Sequence, residues 1–160
     1  MISNLRLCVK KLVFQFFEKY WQQQINKNKD GKLANYVKFK THFGMEKYLL
    51  LLKSPEHRKN IARLRISAHR LRIEQGRYQG IPYHNRTCLR CGSNEVDDEK
   101  HFLLSCKSCM LKRNSFDMTV NCICPNFSLL SPDDKLIWLC NAENVDILVQ
   151  ICELMNESNI

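Results

Sequence analysis

The 160-residue chain is long enough for one domain, or for one domain with a small appendage. Its 44% hydrophobic and 9% aromatic content is globular and excludes a disordered tail, and its net charge of +9 is strongly basic. The longest fully apolar run, Tyr48 to Leu52, is far short of the roughly 20 residues a membrane helix requires, so no membrane partner is expected.

The charge is divided unevenly. Residues 1–87 carry 19 Lys and Arg against 5 Asp and Glu, whereas residues 88–160 carry 6 against 11. A basic half of this size points to a polyanion, RNA or DNA ahead of an anionic membrane. The N-terminal "MISNLRLCVKKLVFQFF" mimics a secretory leader, but Lys10 and Lys11 split its apolar stretch and no small-residue cleavage site follows. Together with nine cysteines, an odd count that fits no disulfide framework, this reads as an intracellular protein, nuclear or cytoplasmic, with clustered thiols kept for metal. Cys8, Cys140 and Cys152 stand singly on apolar stretches and read as small buried hydrophobes.

In chain order, residues 5–25 have a mostly helical apolar spacing. "NKNKDGK" then reads as an exposed basic turn around Gly31. "LANYVKFKTHF" fits a short strand or a helix continuation equally, and "GMEKYLLLL" fits a short buried helix ending near Lys53. The clearest helix follows over 55–73. Ser54 is its N-cap, Pro55 its first residue, and Ile61, Leu64, Ala68 and Leu71 its buried stripe, with Gly76 closing it.

On that helix Lys59, Arg63 and Arg70 gather opposite the stripe, while Arg58, Arg65 and Arg72 line one flank. Such a row is ordinarily a solvated face. Six cations within fifteen residues, followed by Tyr78 and Tyr83, make it the candidate nucleic-acid surface. After Cys106, "KSCMLKRNSF" reads as helical and "NCICPNFSLL" as irregular around Pro125. Ser131 with Asp134 opens another helix, and a last one runs over roughly 143–156.

The metal pattern lies between these helices. Cys88, Cys91, His101 and Cys106 spell C-x2-C-x9-H-x4-C, a donor set suited to Zn2+. Cys109 allows a rival four-thiolate set, C-x2-C-x14-C-x2-C, and His84 is a lesser alternative ligand. Glu95, Asp97, Asp98 and Glu99 leave the zinc-loaded loop at about −3, so it repels phosphate and serves as a staple rather than a clamp.

At "LRISAHRLRIEQGRY", then Cys88, Cys91, the acidic phrase ending His101-Phe102-Leu103, and Cys106, the chain resembles the zinc-binding region that follows the polymerase in non-LTR (LINE-type) retrotransposon reverse transcriptases. The resemblance spans about residues 20–113 and is most specific from Ile61 to Cys106. It implies His101 rather than Cys109 as the fourth ligand, a CCHC zinc knuckle, and a partial or degenerate element that helps bind template RNA or target DNA. No polymerase aspartates in their hairpin context and no endonuclease site are visible, so no enzyme activity is expected.

The expected architecture is mostly α, a small helical domain with a zinc-knuckle loop. Its segments are 1–53 (basic and aromatic), 54–113 (basic helix and knuckle) and 114–160 (acidic helices). The alternative function is a zinc-stapled structural or interaction domain that docks a polymerase or another protein.

Overall fold

The computed structural model describes residues 2–28 and 33–160, with side chains from Leu5 onward. The fold is mostly α. Among the described residues there is no strand, only an isolated antiparallel bridge between Thr87 and Val96. No helix is long and apolar enough to cross a membrane. The chain divides into two compact units, Met1–Met45 and Glu46–Ile160.

The first unit holds α1 (Ile2–Asn28) and α2 (Ala34–Phe39), so the stretch that fitted strand or helix is helical. The expected basic turn around Gly31 falls outside the described residues. Phe43 packs edge-on to Phe14 at 5.2 Å and tilts against Trp21 at 5.9 Å. Ile25 and Phe39 are buried, whereas Leu5, Leu12, Phe16 and Phe17 remain between 52% and 66% exposed. Cys8, expected in a core, is also exposed, because α1 is apolar on more sides than its own unit covers.

The second unit is built from α3 (Lys47–Leu51), α4 (Pro55–Arg65), α5 (Arg72–Tyr78), α6 (Met110–Ile123), α7 (Pro132–Cys140) and α8 (Val145–Glu157). Helix α8 packs against both α4 and α6, and α4 also meets α3 and α7. Ile61 and Leu64 of α4, Phe116 and Val120 of α6, Leu139 of α7, and Ile147, Ile151 and Met155 of α8 form the core. The helix starts follow their capping residues. Backbone N–H groups of His57, Asp134 and Ile147 donate to the side chains of Ser54, Ser131 and Asn144. Helix α3 is only partly buried, since Tyr48 and Leu52 are inside while Leu50 points out.

Two helix boundaries differ from expectation. The long basic helix stops at Arg65, and Ser67 takes a left-handed φ of 51° before α5 begins at Arg72. The stripe Ile61, Leu64, Ala68, Leu71 fits an unbroken helix, so the break is imposed from outside, by the loop described below. Gly76 does not close a helix but lies within α5. A Cβ there would come within 2.7 Å of Arg86 Cγ, whose guanidinium bonds the carbonyls of Ile81 and Ile73. Helix α6 also runs on to Ile123, because Pro125 restricts only Cys124 directly before it.

Candidate metal centre

Cys88 and Cys91 sit on a tight hairpin. Cys88 N–H donates to the Glu95 carbonyl at 2.9 Å and Asp97 N–H to that of Arg86 at 2.9 Å, on either side of the Thr87–Val96 bridge. The turn between requires left-handed backbone at Gly92 (φ 62°) and Asn94 (φ 59°), which glycine and asparagine tolerate best. His101 and Cys106 lie on one wide helical turn, His101–Ser105, closed by Cys106 N–H on the His101 carbonyl at 2.7 Å. In an ordinary α-helix residues five apart point about 140° away from each other. The wider five-residue turn brings them to the same side.

The result is one cluster. The donor atoms of Cys88, Cys91, His101 and Cys106 all lie within 4.8 Å of one another. Cys88 Sγ is 3.9 Å from Cys106 Sγ, and Cys91 Sγ is 3.3 Å from His101 Nε2. A tetrahedral ion bound by thiolate and imidazole separates sulfurs by about 3.8 Å and sulfur from nitrogen by about 3.5 Å. The observed spacings fit that shell and are far too long for a disulfide, so the group could hold a metal ion. Cys109 is not in the group, and its Sγ faces Ser158 Oγ at 3.7 Å. His84 and Cys122 are exposed and also lie outside it.

The thiols are tuned unequally. Burial raises Cys91, but hydrogen bonds with Ser93, Cys88 and His101 outweigh it and bring the thiol down to about 6. Burial pushes Cys106 up to about 11, against relief from Ser108 and with added repulsion from Cys88 and Cys109. Cys106 therefore needs a cation to hold its thiolate at neutral pH.

Each acid of the loop has a structural partner. Glu95 Oε2 lies 2.6 Å from His101 Nδ1, which leaves Nε2 for the metal side. Asp97 pairs with Arg90 at 2.5 Å and accepts Arg72 N–H at 2.9 Å, capping α5. Asp98 accepts His101 N–H at 2.8 Å, and Glu99 accepts Ser67 Oγ–H at 2.6 Å and lies 2.8 Å from His69 Nε2. Asp97 and Glu99 are buried. Ser67, His69 and Glu99 were missed as site residues, because their contact joins segments about thirty residues apart in the chain.

The six candidate nucleic-acid cations separate. Arg65 is buried. It donates to the Cys140 carbonyl, to Asn141 Oδ1 at 2.7 Å and to Glu46 Oε2 at 3.0 Å, which withdraws it from the surface. Arg58 is half-buried and donates to the Leu52 carbonyl at 2.6 Å, and Arg72 is half-buried at the start of α5. Lys59, Arg63 and Arg70 are exposed and line one groove of about 400 Å³ with Glu56, Asn60, Asn156 and Asn159. No ion pair forms at Lys59, Arg63 or Arg70 among the described residues.

No family model, no curated protein and no solved structure matches this chain.

Proposed function

We propose that the chain is a non-catalytic nucleic-acid-binding module stapled by zinc, akin to the C-terminal region of a non-LTR retrotransposon reverse transcriptase. The observation that carries this reading is the convergence of Lys59, Arg63 and Arg70 on one groove, where Glu56 is the one acidic side chain and is ion-paired with none of them among the described residues. Three cations beside one carboxylate leave the groove net positive, and a phosphate backbone bound there would relieve that charge and release its own counterions.

Zinc is the ion of choice because three thiolates and one imidazole suit a soft, tetrahedral site. Four protein donors fill such a shell and keep no position for a reacting water, so the metal's role is structural. Thiols of this kind stay available for metal in a reducing, intracellular compartment.

The test is oligonucleotide affinity as a function of salt. Three phosphate contacts predict a slope of about −2 in log affinity against log salt for a single strand. Replacing Lys59 and Arg63 by glutamate should abolish binding without loss of fold, and unchanged binding would sink the reading.

A second reading is favoured by α1, whose Leu5, Leu12, Phe16 and Phe17 are exposed. Such a face fits a protein partner, with a polymerase as the retrotransposon resemblance would have it. Binding of that kind would be nearly insensitive to salt.

A further inference from the structure

Residues 67–70 touch both the groove and the metal loop. On one side Ala68, His69 and Arg70 line the groove beside Lys59 and Arg63. On the other, Ser67 and His69 meet the same oxygen of Glu99, at 2.6 and 2.8 Å. All three of these side chains are buried, and Glu99 stands two residues before the ligand His101. Two residues further along the chain from Arg70, Asp97 of the same loop accepts Arg72 N–H, and its carbonyl accepts Ile73 N–H at 3.1 Å. The loop thus pins the segment on both sides of Arg70.

Lys59 and Arg63 ride on α4, one turn apart, and keep their places whenever that helix forms. Arg70 lies beyond the helix end, past the left-handed Ser67, a conformation that serine takes only when its surroundings hold it. Its guanidinium reaches Asn159 at 3.2 Å on the far wall of the groove.

We propose that the groove binds the phosphodiester backbone of a nucleic acid, and that the metal loop positions its third cation, Arg70, through the Ser67–His69–Glu99 contact. Metal binding at the Cys3His group and nucleic-acid binding in the groove are then linked. This rests on the nucleic-acid reading above and adds the regulation of that same site. Linkage is reciprocal, so bound nucleic acid strengthens metal binding by the factor by which metal strengthens nucleic-acid binding, on the order of tenfold.

The experiment uses the full chain loaded with zinc and a fluorescein-labelled oligo-uridylate, read by anisotropy. Zinc content is checked by native mass and helix content by circular dichroism. Arg70→Ala is expected to weaken binding about tenfold and to lower the salt slope by about 0.7. Glu99→Gln, still folded and zinc-loaded, is expected to lose the same factor, and the double variant no more than either single one. Full affinity in Glu99→Gln, or losses that multiply in the double variant, would overturn the coupling. If Glu99→Gln fails to fold, Ser67→Ala removes one of the two contacts and runs the same cycle with a smaller loss.

Other outcomes fall on different claims. Wild-type binding that survives in the Lys59→Ala/Arg63→Ala variant leaves a nucleic-acid binder but overturns the groove. No binding of the oligonucleotide by the wild type overturns the nucleic-acid reading and the coupling together. Binding to phosphatidylserine vesicles in its place moves the phosphate chemistry to a lipid surface and overturns both.

Discussion

The acidic loop and the basic helix α4 carry opposite charges, and they differ more in what those charges touch than in sign. Glu95, Asp97, Asp98 and Glu99 each meet a named donor: a metal-side histidine, a helix N-terminus, a backbone amide, a buried serine and histidine. On α4, Arg65 is spent in the same way on Cys140, Asn141 and Glu46, while Lys59 and Arg63 have no such partner among the described residues. Charge that a fold satisfies internally holds the fold together. Charge that it leaves uncompensated on a concave surface is available to a ligand.

Removing a ligand should break this contrast most severely. Cys106→Ser is expected to abolish metal binding and with it the second unit's cooperative melting, since a structural zinc contributes about 10–16 kcal/mol of apparent binding energy at neutral pH. Calorimetry with and without added zinc reads this directly.

Acidification acts on the same site in a graded way. Cys106, held near 11 without metal, must shed its proton for the ion to bind, so zinc affinity should rise by at least about tenfold per pH unit. Below about 6, where Cys91 also becomes protonated, the dependence should steepen. Metal-dependent stability is therefore lost as pH falls, and chelator competition over a pH series measures the slope.

Two of the arginines of α4, Arg65 and Arg63, sharpen the comparison. Arg65→Ala leaves Glu46 and the Cys140 carbonyl without their buried cation and should cost about 3 kcal/mol in urea unfolding. Arg63→Ala should change stability by less than about 0.5 kcal/mol and act on oligonucleotide affinity alone. Equal stability costs would mean that Arg63 is also structural. Between these lies Ser131→Ala, which removes the N-cap of α7 and should cost about 1 kcal/mol.

Much of this was legible in the sequence. Two of the capped helix starts follow from Ser54 and Ser131, and spacing narrows the ligand group to Cys88, Cys91 and Cys106 with either His101 or Cys109, between which the resemblance chose His101. The break after Arg65 was not legible, because Ile61, Leu64, Ala68 and Leu71 have continuous helical spacing and the cause lies about thirty residues away, in Glu99 and Asp97. For the same reason Arg65 read as one more surface cation. Its burial depends on Cys140 and Asn141, which no local pattern places beside it. Nor did any local pattern show that Ser67 and His69 would meet Glu99 and so tie the loop to the segment after α4.

The most direct test of the central claim is the intact mass of the chain under native conditions, for the wild type, His101→Ala and Cys109→Ala. The account predicts one zinc in the wild type, none or a weakly held one without His101, and an undiminished zinc without Cys109. Zinc lost with Cys109 and kept without His101, or no zinc in any form, would contradict it.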